Sequence, residues 1–136
     1  MTVGDEADSL MRRARIKVRE MRTRTERGDF DHIIPDAYNV MFMAAKAALM
    51  KRGFEVASHR TVIATYRHEF IDKRIIPPEF ENHLQKIQTY WEKEGTPEAE
   101  KIDAPRAGRI VEAANSLVES LAETMKYSST EPFRIR

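Results

Sequence analysis

Apolar positions recur every three or four residues along most of this chain, and nowhere do they alternate with period two. That spacing lays them along one side of a helix, so it predicts helices throughout and no sheet. The first predicted helix covers residues 5–27, with Leu10, Ala14, Val18 and Met21 as a narrow apolar stripe. Asp5, Glu6 and Asp8 sit at its start, where the helix dipole favours acids, and Gly28 stops it. The second helix, residues 36–52, breaks the amphipathic rule. Between residues 37 and 49 it carries one charge, Lys46, and is apolar or small nearly all the way round. Such a helix needs neighbours on every side, so it is predicted to be the axis of the fold. Pro35 suits its first turn, Gly53 a left-handed stop, and Phe54 can fold back on the last turn.

Ser58 is a predicted N-cap for a third helix over residues 59–73, with Val62, Ile63, Tyr66 and Phe70 inward. The run Ile75-Ile76-Pro77-Pro78 ends it, because neither proline can continue a helix interior. A fourth helix starts at Pro78 or Glu79 and turns Phe80, Leu84, Ile87 and Trp91 to one side. After a loop at Gly95-Thr96-Pro97, Asp103 is expected to cap a fifth helix that tolerates Pro105 in its first turn. Its inward residues are Ala107, Ile110, Ala114, Leu117, Leu121 and Met125, with Val111 and Val118 widening the stripe. The prediction is an all-α, five-helix up-and-down bundle, a single domain over residues 1–126, followed by a mobile tail over residues 127–136.

Composition narrows the chemistry. A chain of 136 residues buries roughly 68% of its extended surface as one domain, whereas two halves would each be marginal. Lys and Arg total 23 against 22 Asp and Glu, so only local clustering can argue for nucleic acid. There is no cysteine, which excludes disulfides and thiolate metal sites. The four histidines fall at no metal-ligand spacing, so no metal and no cofactor is expected. The acidic N-terminus does not read as a signal peptide, and no apolar run is long enough to span a membrane. A cytoplasmic protein without membrane contact is the expectation.

Clustering does occur in the first helix. Arg12, Arg13, Arg15, Lys17, Arg19, Arg22, Arg24 and Arg27 face only Glu20 and Glu26. Arginine grips phosphate through two parallel donors, so Arg12, Arg15, Arg19 and Arg22 are candidate phosphate contacts for RNA. His59-Arg60 opens the third helix, where backbone donors and the dipole also favour an anion. Tyr90, just off the apolar stripe, and Tyr66 are candidates for stacking on a base, while Trp91 falls on the stripe and reads as core. Arg67, His68 and Glu69 supply a cation, a base and an acid, but consecutive helix residues point apart.

The second-helix text Ala37-Tyr38-Asn39-Val40-Met41-Phe42-x-Ala44-Ala45-Lys46-Ala47-x-Leu49, then Gly53-Phe54-Glu55 and Ser58-His59, resembles the HEPN family (higher eukaryotes and prokaryotes nucleotide-binding domain). Prokaryotic members commonly show Ala-Tyr-Tyr-x-Met-Phe-x-Ala-Ala-Lys-Ala-Leu-Leu, ended by glycine and followed by Thr-His or Ser-His. Ala113-Ala114 with Leu117-Val118 resembles the family's last helix, and the similarity covers about residues 8–125. The resemblance implies a small helical homodimer, often encoded beside a minimal nucleotidyltransferase as a toxin–antitoxin-like pair, and binding nucleotide or RNA.

Many members are metal-independent endoribonucleases with Arg-x(4–6)-His near the start of a late helix. There histidine would move the 2′-hydroxyl proton and arginine would hold the phosphate. This chain departs from that pattern. Where the branch often has Arg-x-x-x-Asp-Tyr it has Lys86-Ile87-Gln88-Thr89-Tyr90-Trp91. The Arg-x(4–6)-His spacing occurs only as Arg27 with His32 and as Arg52 with His59, close to the roughly 1.3 matches expected by chance. The leading expectation is therefore a HEPN-like protein that binds nucleotide, RNA or a nucleotidyltransferase partner without the usual ribonuclease motif. The alternatives are an endoribonuclease using a displaced pair, Arg52 with His59 or Arg60 with His68, and a helical protein-interaction adaptor.

Overall fold

Four helical segments carry the fold among the residues that the computed structural model describes, which are 3–56, 58–78, 80, 82, 83, 85, 89 and 102–127. Val3, His59 and Tyr127 are described by their backbone alone. Helix α1 is Val3–Glu26, α2 is Ile33–Lys51 and α3 is His59–Tyr66, which widens into a π-helical turn over Arg67–Asp72. Helix α4, the fifth of the sequence prediction, is Ala104–Tyr127. Phe80, Asn82, His83, Gln85 and Thr89 have helical backbone where the fourth was predicted. Leu84, Ile87, Tyr90, Trp91 and the tail beyond Tyr127 lie outside the described residues.

The α2 axis is built as its composition requires. Ala44, Ala45, Ala47, Ala48 and Leu49 are wholly buried, and α1, α3 and α4 all pack against it. Alanine side chains let three neighbours approach one rod closely. The helix begins at Ile33, earlier than proline punctuation suggested, because Pro35 is still in the first turn and Ile33 and Ile34 are both core residues. In α1 the buried positions are Ala7, Met11, Ala14, Val18 and Met21. Leu10, predicted inside, packs only partly against the core, and Met11 takes the central place. The stripe of α4 agrees with the prediction at every position from Ala107 to Met125.

The helix ends follow from local chemistry. Gly28 (φ 80°) and Gly53 (φ 93°) both adopt the left-handed conformation. At the first, Asp29 N donates to Arg24 O at 2.9 Å and Gly28 N to Thr25 O at 3.0 Å. At the second, Phe54 N donates to Leu49 O at 3.0 Å and Gly53 N to Met50 O at 2.9 Å. These paired bonds satisfy carbonyls that a helix end otherwise leaves orphaned. The π turn ends the same way, with Ile75 N on Phe70 O at 2.9 Å and Arg74 N on Ile71 O at 3.0 Å. There the left-handed residue is Arg74 (φ 58°), which has a Cβ and is strained by it. At the starts, Ser58 Oγ accepts from Thr61 N at 3.1 Å and Asp103 Oδ1 from Arg106 N at 3.0 Å. Both predicted caps are made.

Candidate functional site

The polar face of α1 does two jobs, and the split decides which arginines can meet a ligand. Arg24 is structural. Its guanidinium donates to Asp31 O at 2.7 Å, Asp36 Oδ2 at 3.0 Å and Asp29 Oδ2 at 3.3 Å, clamping the α1–α2 loop. The Asp31 backbone donor and Arg24 together hold the Asp29 carboxyl below its ordinary value. Arg22 bridges to Glu112 at 2.8 Å, and Arg15 makes a two-pronged bridge to Glu119 at 2.9 and 2.6 Å. Both tie α1 to α4. Arg15 hydrogen bonding lowers the Glu119 carboxyl, against a smaller opposing effect of burial.

Arg12, Arg15 and Arg19 share one face of α1 and border a groove of about 670 Å³ with Lys51 at the end of α2 and Lys126 near the end of α4. Met11, Ala122 and Met125 line its apolar side, and Asp8 is the one acidic residue among its described lining residues. Lys51 Nζ lies 3.1 Å from Asp8 Oδ1, and Lys126 Nζ lies 3.2 Å from Glu123 Oε1. Those pairs, with Arg15–Glu119, neutralise three of the five cations. Arg12 and Arg19, both exposed, make no ion pair among the described residues. They stand two turns apart, about 10.5 Å along the axis. The groove therefore presents two surplus guanidiniums, spaced along a line, over a partly apolar floor.

Other predicted residues are dispersed. Arg52 stacks its guanidinium on Phe70, 5.3 Å from the ring centroid, and its Nε is buried without an acceptor among the described residues. It lines a second cavity, of about 540 Å³, with Ile75, Ile76, Pro77, Glu119, Ser120, Glu123 and Thr124. His59 opens α3, but its side chain and Tyr90 lie outside what is described, so the Arg52–His59 pairing has no described geometry. Arg60 is exposed beside the Ser58 cap, which already uses the Thr61 donor at that helix start. Arg60 and His68 are separated by about 12 Å of helix rise. His68 sits instead 3.6 Å from Glu69 Oε2 and 3.9 Å from Asp72 Oδ2.

Tyr66 is 1% exposed and donates its hydroxyl to Phe80 O at 3.2 Å, so it is core and cannot stack on a base. Glu69 is buried in the π turn, where Lys73 Nζ donates to it at 2.9 Å. Among the described residues, no group of acids and histidines could hold a metal ion, and no helix is long and apolar enough to cross a membrane.

The HEPN domain model matches residues 7–125, nearly the whole described fold, and the chain belongs to the HEPN family. Membership associates it with nucleotide- or RNA-related function. No curated protein matches it.

Proposed function

We propose that this HEPN protein binds single-stranded RNA through the groove between α1 and α4 and does not cut it. The observation that carries the reading is the pair Arg12 and Arg19. They are exposed and make no ion pair among the described residues, Arg19 acting on Glu119 only through its charge, and they lie along a groove whose other cations are already balanced. Guanidiniums left in this state are free to release counterions from a phosphate backbone, the main source of sequence-independent affinity. Arg15 and Arg22 have a secondary role: they hold α1 against α4 and so fix the groove walls. The departure from the family's ribonuclease motif supports the reading without cleavage. Neither late helix carries Arg-x(4–6)-His.

The test incubates the purified full chain with end-labelled single-stranded RNA at low salt. The strand is expected to be retarded on a native gel and to remain full length with or without added metal. Metal-independent cleavage that His59→Ala removes would overturn the proposal in favour of an endoribonuclease.

A further inference from the structure

Arg12, Arg15 and Arg19 form one line along the groove, with Arg15 about 4.5 Å of helix rise from Arg12 and about 6 Å from Arg19. Of these three, only the middle one is ion-paired among the described residues. Arg15 Nε donates to Glu119 Oε2 at 2.9 Å and Nη2 to Oε1 at 2.6 Å. A guanidinium grips a phosphate with the same parallel fork, so the carboxylate sits where a backbone anion would. Hydrogen bonding from Arg15 is the main cause that holds the Glu119 carboxyl below its ordinary value. The charges of Arg15, Arg19 and Lys126 act in the same direction, against the opposing effect of burial. Three cations that line the groove therefore act on one anion from α4.

A bridge of this kind stabilises a fold only weakly. Arg15 and Glu119 are 43% and 48% exposed, and water screens them. Its loss need not part the helices, because α1 and α4 both pack on α2 as well as on each other. Its effect on an incoming anion is larger. An intramolecular partner takes the guanidinium without the association entropy that a strand gives up. A strand that captured Arg15 would also leave an ionised Glu119 beside its own phosphates, where like charges repel.

Resting on the groove reading, we propose that Glu119 is an internal competitor for the strand, its carboxylate taking the place of a phosphate on Arg15 so that the groove engages the backbone through Arg12 and Arg19 alone. Glu119 thus sets how tightly the groove binds, by holding the central arginine back.

Fluorescence anisotropy with uridine oligomers across a salt series tests this on the full chain. Glu119→Gln is expected to bind several-fold more tightly at low salt and to steepen the slope of log K against log salt by about 0.7, the share of one further phosphate contact. Two comparisons separate competition from a general loss of negative charge. In a protein carrying Arg15→Gln, adding Glu119→Gln is expected to leave the slope unchanged. Glu20→Gln removes the same charge next to Arg19 in sequence, from an exposed residue outside the groove lining, and is expected to leave the native slope unchanged. Circular dichroism checks that each variant folds. A folded Glu119→Gln protein with the native slope, a gain that survives without Arg15, or an equal gain from Glu20→Gln overturns the assignment. Failure of the groove reading has a different signature, namely uridine strands that bind no worse to a protein carrying Arg12→Glu and Arg19→Glu. Inorganic phosphate titrated against isotope-labelled protein reads the competition with no strand present. The Arg15 Nε–H signal should move in Glu119→Gln at phosphate concentrations that leave it in place in the native protein. Equal movement in both proteins, or none in either, overturns the proposal.

Discussion

Arg24 and Arg15 look alike in the sequence and differ in what they hold. Arg24 meets two groups of the α1–α2 loop and Asp36 in the first turn of α2, whose side chain is only 13% exposed. Removing Arg24 leaves this mostly buried carboxylate with the looser Lys17 pair at 3.7 Å, so Arg24→Ala is expected to cost about 1–2 kcal/mol in urea denaturation. Arg15 and Glu119 are both more than 40% exposed, and water screens their bridge. Arg15→Ala is expected to cost under about 1 kcal/mol. The pH dependence follows from the depressed Glu119 carboxyl. A group whose folded value is lowered stabilises the fold above its unfolded value and loses that contribution as pH falls through the folded one. The Arg15→Ala penalty should thus be present at neutral pH and fade as pH drops below the ordinary glutamate value of 4.5. A run of arginines in sequence predicts a basic face; it does not reveal which members already have acids from a helix ninety residues away, such as Arg22 with Glu112. That partition set the site, and it became visible only when α4 was placed beside α1.

At the scale of elements, three helix ends share one geometry and use different residues. Nothing lies within 4 Å of a Cβ built on Gly53, so the cost of Gly53→Ala comes from its positive φ alone, about 1 kcal/mol. Arg74 occupies the equivalent position with its side chain in place. Arg74→Gly should relieve the strain and raise stability by up to about 1 kcal/mol, read as a higher melting temperature. A loss on that substitution would mean the Arg74 side chain contributes more than its backbone costs. The elements themselves were legible because their signals are local: glycine stops at Gly28 and Gly53, caps at Ser58 and Asp103, and the α4 stripe all stood where the spacing put them. The π turn was not legible. Glu69, Phe70 and Ile71 are buried in succession there, a broader inward face than a regular α turn offers, and no residue type announces it. The early start of α2 is hidden for a related reason: Ile33 and Ile34 precede Pro35, whose spacing predicts the boundary, and only packing shows them to be core.

For the whole molecule, the fold was readable from one helix and the site was not. Composition of α2 required neighbours on all sides, and its text carried the family, so architecture and kinship came together. The groove draws Arg12 and Arg19 from α1, Lys51 from the end of α2 and Lys126 from the end of α4, and no sequence motif joins those positions. The π turn, the Arg52–Phe70 stack and the second cavity lie on the other side of the Arg15–Glu119 bridge. The bundle thus places a cation-lined groove and a second cavity next to each other from four separate stretches of chain. The most direct measurement is the salt dependence of uridine-oligomer binding by the native protein and by the protein carrying Arg12→Glu and Arg19→Glu. Loss of two phosphate contacts should weaken binding and flatten the slope of log K against log salt by about 1.4. An unchanged slope and affinity would contradict an RNA groove along α1.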